Sequence, residues 1–181
     1  ETPDFSYRKL SMLEEYPEDI PAIASWQDHQ KLGFSFRINH NHSWAATVPK
    51  DLYKEHPDWF AMINGKRVPP GDRFKLETTN PELVQYFADK AIAALKADPH
   101  LNTYSLSPND SRGWSESPES KALYDPSPST LFDPEAPPGP PSMTPLILKF
   151  YRDVSTIVEK EYPQGKLAGY IYWDYFYPPA Q

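Results

Sequence analysis

Strands and helices alternate along this chain. That order predicts an α/β fold in which parallel strands are covered by helices, a partial or incomplete (β/α)8 barrel of the TIM type. Two further observations point the same way. Three candidate strands end in clusters of polar and aromatic residues, and a βα protein builds its site at the carboxyl ends of strands. The chain has 181 residues, whereas a full barrel takes roughly 250. The expectation is a single barrel-type domain over residues 1–181 that is part of a longer chain. A small, complete open sheet is the competing architecture.

The elements follow in order. Lys31 to His40, KLGFSFRINH, alternates Phe34, Phe36 and Ile38 with Ser35, Arg37 and Asn39, which is the period of a strand. Arg73 to Thr78, RFKLET, is a shorter candidate. A helix comes next: Asn80 can cap it, Pro81 suits its first turn and Glu82 favours the positive end of its dipole. Leu83, Val84, Phe87, Ala88, Ala91, Ile92 and Leu95 share one face, and Asp98-Pro99 stops the helix. Thr103 to Ser107 is the next strand. Residues 118–142 form a proline-rich loop insertion, in which Pro126, Pro128, Pro134, Pro137, Pro138, Pro140 and Pro141 exclude regular structure. A second helix runs from Thr144 to Glu161, with Leu146, Ile147, Phe150, Tyr151, Val154, Ile157 and Val158 as its buried stripe, and Pro163-Gln164-Gly165 ends it. Leu167 to Tyr175, LAGYIYWDY, is the last strand, stopped by Pro178-Pro179.

Composition narrows the function classes. Aromatics make up 14% of the chain, and 22 prolines against 7 glycines imply fixed loops rather than floppy ones. The formal net charge is −7 and no cluster of Lys or Arg stands out, which argues against nucleic acid as a partner. No apolar segment is long enough to span a bilayer. The absence of Cys excludes disulfides and thiolate sites. There is no Gly-rich phosphate loop and no Gly-x-Ser-x-Gly elbow, so serine-hydrolase chemistry has no support. No cofactor is expected, and the oligomeric state is left open.

The three unusual strand ends are His40-Asn41-His42-Ser43-Trp44, Pro108-Asn109-Asp110 and Trp173-Asp174-Tyr175. Asp110 and Glu116, in the stretch TYSLSPNDSRGWSES, are the leading acid–base pair, because glycoside hydrolysis commonly uses two carboxyl groups. The competing roles are an Asx turn or cap for Asp110 and a solvated loop charge for Glu116. His40 and His42 have the spacing of two metal ligands on one face of a strand, although no His follows His100 to complete such a set. The run YIYWDYFYPP, with Trp44 and Trp114, offers flat faces to sugar rings; the competing role for such rings is to fill a core.

Several stretches together carry a resemblance: PDFSYR, HNHSWAATVPKDLYKEHPDWFAMINGKRV, LETTNPELV, YSLSPNDSRGW and AGYIYWDYFYPP. The sequence resembles a family of bacterial barrel proteins long described only as a domain of unknown function. That family is related to glycoside hydrolases and includes endo-β-N-acetylglucosaminidases that cut complex N-glycans. The resemblance implies a (β/α)8 barrel of which this chain covers the first half or slightly more, export to the periplasm or beyond, and a glycan as substrate. The matching site positions are His42, then Asn109 and Asp110, then the Tyr172–Tyr175 region. Many relatives carry Cys-x-Cys shortly after the Asp, where this chain has Ser115-Glu116-Ser117.

The leading expectation is therefore a glycoside hydrolase acting on N-acetylhexosamine-containing glycans. In it Asp110 is the polarising or acid–base carboxylate and Glu116 a weaker partner. His42, Asn109 and Asp174 hold sugar hydroxyls, Trp44, Trp114 and Trp173 stack on rings, and Arg112 and Tyr172 line the same site. The alternatives are a non-catalytic carbohydrate-binding barrel and a metal-dependent hydrolase using His40 and His42.

Overall fold

The computed structural model describes residues 7–8, 20–30, 32–34, 38–98, 100–125 and 141–179. The chain divides into two compact units, Glu1–Ile38 and Asn39–Gln181. In the first, β1 (Tyr7–Arg8) pairs antiparallel with β2 (Gly33–Phe34), with Tyr7 opposite Phe34, and α1 (Ile20–His29) lies between them in sequence. Of the strand expected over Lys31–His40, Gly33–Phe34 is regular; residues 31 and 35–37 lie outside the described ones, and Asn39 and His40 belong to the second unit.

The second unit opens with α2 (Trp44–Thr47) and two 3-10 turns, Lys50–Lys54 and Pro57–Trp59. A hairpin follows, β3 (Met62–Ile63) against β4 (Lys66–Arg67). Its two-residue turn is Asn64-Gly65 with φ of 50° and 73°. Two successive positive φ values define the turn whose twist matches that of paired strands, and Asn-Gly adopts it at the least cost. Then come α3 (Pro81–Ala97), β5 (Tyr104–Ser105), α4 (Pro118–Lys121), α5 (Thr144–Glu161) and β6 (Leu167–Ala168).

Three segments of this unit run side by side in the same direction. β5 pairs with β6 in parallel, Tyr104 opposite Leu167 and Ser105 opposite Ala168. On its other side the segment makes a parallel bridge from Ser107 to His42, closed by the Ser43 amide donating to the Ser107 carbonyl at 3.0 Å. Before that bridge, side-chain hydroxyls complete the contact. The Asn39 and Asn41 amides donate to Thr103 Oγ1 at 2.6 Å and Ser105 Oγ at 3.2 Å. The same hydroxyls donate back to the carbonyls of Asn39 at 2.9 Å and Asn41 at 2.6 Å. Thr and Ser can bond main-chain groups in this way, so the backbone groups of Asn39 and Asn41 are satisfied without a regular ladder. Thr103, Ser105 and Ser107 are all buried. Among the described residues the strands form three two-stranded ladders.

The two long helices, α3 and α5, form where the sequence places them. Asn80 Oδ1 accepts from the amides of Glu82 at 2.9 Å and Leu83 at 3.1 Å, which satisfies two of the orphan donors at the start of α3. The seven apolar residues of the expected stripe, from Leu83 to Leu95, are buried. On α5, Leu146, Ile147, Phe150, Val154 and Val158 are buried, while Tyr151 and Ile157 are half-buried. The two helices meet through Phe87 and Phe150, edge to face at 5.2 Å, and Trp44 packs on Phe150 at 5.7 Å. The Tyr151 ring packs against Gly169, where an added Cβ would sit 2.5 Å from it, so a larger residue would have to displace the ring.

Two expected elements differ. The insertion over residues 118–142 begins with a helical turn, because the Ser117 hydroxyl accepts from the Ser120 amide at 3.1 Å and Pro118 suits the first turn. Its ends are joined by paired hydrogen bonds between Asp125 and Ser142, each of 3.0 Å; residues 126–140 lie outside the described ones. The last strand does not run on to Tyr175. Trp173–Tyr175 is a 3-10 turn entered through Trp173 at φ 56°. Among the described residues no helix is long and apolar enough to cross a membrane.

Candidate functional site

The parallel segments deliver three polar ends to one place: His42–Trp44, Ser107–Asp110 and Tyr170–Asp174. The fourth contributor is residues 74–77, held antiparallel to residues 59–61 by the Ala61 amide on the Lys75 carbonyl at 3.1 Å and the Glu77 amide on the Trp59 carbonyl at 2.8 Å.

Asn109 locks these pieces together. Its Oδ1 accepts from the Ala45 amide at 3.1 Å, its Nδ2 donates to the Phe74 carbonyl at 3.0 Å, and its own carbonyl accepts from Lys75 Nζ at 2.7 Å. The residue is buried and both atoms of its side-chain amide bond within the protein, so it fixes the loop that carries Asp110. Asp110, the next residue, is exposed. Its Oδ1 accepts from the Tyr172 hydroxyl at 3.2 Å, and its carbonyl accepts from Arg73 at 3.3 Å. Asp174 is half-buried, and its Oδ2 accepts from the Trp114 indole N–H at 2.8 Å.

His42 Nδ1 lies 2.6 Å from the Pro108 carbonyl. A carbonyl can only accept, so Nδ1 carries a proton and the neutral ring keeps its lone pair on Nε2. The rings of His40 and His42 both pack edge-on to Tyr170, at 5.4 and 5.1 Å, and His42 also faces Tyr172 at 6.1 Å. Among the described residues no group of three or more His, Asp or Glu side chains is gathered in a way that could hold a metal ion.

The three tryptophans separate by depth. Trp44 is fully buried and donates its indole N–H to the Leu106 carbonyl at 2.8 Å, so it floors the region and presents no face to a ligand. Trp114 is 9% exposed and Trp173 is 69% exposed. Trp173 is the ring a solute can reach.

Lys75 is the residue that sequence reasoning missed. It is only 4% exposed, and its ammonium sits 4.0 Å from the centre of the Trp114 ring and 5.9 Å from that of Trp44. Burial pushes its pKa down to about 8, against the opposing pull of Asp174 and then Asp110. Burial also raises the Tyr172 hydroxyl, which the adjacent Asp110 carboxylate reinforces. The only sequence signal for Lys75 was its place between Phe74 and Leu76 in a short strand, where a charged residue reads as a solvent-facing one.

Glu116 belongs to another neighbourhood. Its Oε2 accepts from the Asn64 amide at 3.0 Å and lies 3.8 Å from Lys121 Nζ, at the tip of the β3–β4 hairpin. Arg112 is exposed. Where relatives were expected to carry Cys-x-Cys, Ser115 donates to Glu77 at 2.6 Å and Ser117 caps α4. Glu77 is 3% exposed; burial alone would raise its pKa, but bonds from Ser115, Ser120, Thr79 and Arg67 outweigh that and hold it below its ordinary value. A groove of about 390 Å³ between α3 and α5, lined by Val84, Lys149 and Asp153 among others, lies on the helical side and includes none of the strand-end residues.

Carboxylates on two neighbouring loops, Asp110 held by Tyr172 and Asp174 by Trp114, offer hydrogen-bond acceptors next to aromatic rings and can transfer protons. The chain belongs to the family described as Domain of unknown function (DUF4838), whose model matches residues 1–181. No curated protein and no solved structure matches the chain.

Proposed function

We propose that this protein is an exported carbohydrate-active domain with a barrel-type parallel sheet, acting as a glycoside hydrolase on N-acetylhexosamine-containing glycans. The observation that carries the proposal is the placing of Asp110 with Tyr172 and His42, and of Asp174 with Trp114, at the carboxyl ends of neighbouring parallel segments. Asp110 accepts from Tyr172 and is open to solvent, so it is placed to support positive charge developing on a sugar ring or to orient a substrate acetamido group. Asp174 has Oδ2 committed to Trp114, which leaves Oδ1 to exchange a proton with the departing oxygen. As the glycosidic C–O bond breaks, water adds to the anomeric carbon and loses a proton to Asp174 Oδ1, and that carboxyl group gives a proton to the departing oxygen. Trp173 supplies the stacking face and His42 Nε2 accepts from a sugar hydroxyl. Arg112 and Glu116 lie at the margin of this scheme.

The test is release of sugar from N-glycans. Asp110→Asn is expected to lower kcat by about 1,000-fold or more, on the scale of losing one preorganised catalytic group, with unfolding unchanged. Wild-type turnover by that variant would remove Asp110 from the mechanism. A second reading, a non-catalytic carbohydrate-binding barrel, is favoured by one observation: Glu116, the expected partner, is engaged at the hairpin. On that reading glycan binds without hydrolysis, and Trp173→Ala harms binding more than Asp110→Asn does.

A further inference from the structure

Lys75 closes a chain of contacts between the two carboxylates. From Asp174 the contact passes to the Trp114 indole N–H at 2.8 Å, from the face of that ring to Lys75 Nζ at 4.0 Å, and from Nζ to the Asn109 carbonyl at 2.7 Å. Asp110 is the next residue, and its own carboxylate is held by Tyr172. A cation over the face of an indole is attracted to it, and more strongly when both are shielded from water. The ammonium therefore holds the loop that carries Asp110 and the ring that holds Asp174.

We propose that Lys75 is the positioning residue of this carboxylate pair, its buried positive charge keeping Asp110 and Asp174 together in one site. The assignment rests on the carbohydrate-active function proposed above for its effect on turnover. Asp110 and Asp174 act on Lys75 from the two loops after β5 and β6. Arg73, two residues before, is turned to the Asp110 carbonyl, and Glu77, two residues after, is taken up by Arg67, Thr79, Ser115 and Ser120. His42 is bound to the Pro108 carbonyl. Two like charges repel each other, so removing the cation that attracts both carboxylates loosens them as well as the loop.

The charge is present below pH about 8 and is lost as the pH rises through that value. Hydrolysis of an N-glycan by the wild type is therefore expected to fall on the alkaline side with that midpoint. Lys75→Arg keeps a charge that does not titrate, so it should move the alkaline limb upward and retain part of the rate. Lys75→Met should lose about 100-fold in kcat, the cost of a misplaced reacting group, with KM little changed. Lys75→Met with wild-type kcat and an unchanged pH profile would overturn the proposal.

A second measurement needs no turnover. The ¹³C signal of the Lys75 ε-methylene, assigned by its loss in Lys75→Arg, should titrate at about 8 in the wild type. It should titrate lower in Asp174→Asn and in Asp110→Asn, because each removes a charge that favours the ammonium. Unchanged midpoints in both variants would overturn the coupling. A wild type that hydrolyses and binds no glycan overturns the proposed function, and the midpoints then decide the role of Lys75 alone.

Discussion

Trp44 buries its whole surface and donates its indole N–H to Leu106 at 2.8 Å, whereas Trp173 leaves 69% of its surface to solvent from a backbone at φ 56°. The first ring is held by edge-on contacts with Trp114 at 6.3 Å and Phe150 at 5.7 Å. The second occupies a left-handed conformation that costs a non-glycine residue about 1–2 kcal/mol, and such outliers gather at functional sites. Alanine at each position should therefore give opposite results. Trp44→Ala is expected to cost about 3–5 kcal/mol in urea unfolding, the range for a deleted core aromatic. Trp173→Ala should stay within about 0.5 kcal/mol of the wild type yet weaken glycan binding about tenfold, equivalent to about 1.4 kcal/mol. Equal stability losses in the two variants would show that Trp173 is part of the core. The sequence grouped both rings as stacking faces, because the depth of an aromatic depends on which elements close over it and not on its neighbours in the chain. Lys75 was hidden for the same reason: residues 74–78 are buried on both faces, so alternation there does not separate core from solvent.

At the scale of elements, legibility followed the number of local signals. The helix over Pro81–Ala97 carries a cap, a first-turn proline, an apolar stripe and a stop, and all four act within a few residues of one another. Asn80 does more than the capping rule asks, since its Nδ2 also donates to Asp58 at 2.7 Å and so ties the start of α3 to the turn after His56. Asn80→Ala is expected to lower stability by about 1–2 kcal/mol, read as a shift of the urea midpoint without a change of slope. Asn80→Asp should recover most of the cap but not the bond to Asp58, and a variant pair with equal losses would mean that the cap contributes nothing. The strands were harder to read. Thr103 to Ser107 reads as a strand, and part of it is one, but its alternate residues are hydroxyls that bond to the neighbouring segment instead of apolar groups. That pairing depends on residues 64 positions away and leaves no local pattern. The final run, LAGYIYWDY, reads as continuous strand because its composition is aromatic, yet it turns at Trp173. The Asn64-Gly65 turn, by contrast, is a hairpin signal of the ordinary kind.

At the scale of the whole molecule, the polar strand ends were visible in sequence as three separate clusters, and the parallel register of residues 39–43, 103–107 and 166–170 brings them together. What keeps the surrounding loops in register is Glu77, which lies in the stretch LETTNPELV but was given no role there. Its two oxygens accept from Arg67 at 2.7 Å, Ser115 at 2.6 Å, Ser120 at 2.6 Å and Thr79 at 2.6 Å. One buried carboxylate thus joins β4, the loop after β5, α4 and the start of α3, and loss of its charge is felt in all of them. Its pKa in the folded protein lies below the ordinary 4.5, because those donors favour the ionised form more than burial opposes it. The unfolded chain therefore binds the proton more readily. The stabilisation is complete above pH 4.5 and is lost as the pH falls through that value towards the lower folded one. Urea unfolding measured from pH 7 down to pH 3 should show stability falling over that acid interval. Glu77→Gln should be less stable at pH 7 by about 2 kcal/mol, the scale for losing charge-assisted hydrogen bonds, and should show a shallower acid fall than the wild type. A variant that matches the wild type at pH 7 and keeps the same acid slope would mean that the loops are held by packing alone, with the carboxylate a passenger among them.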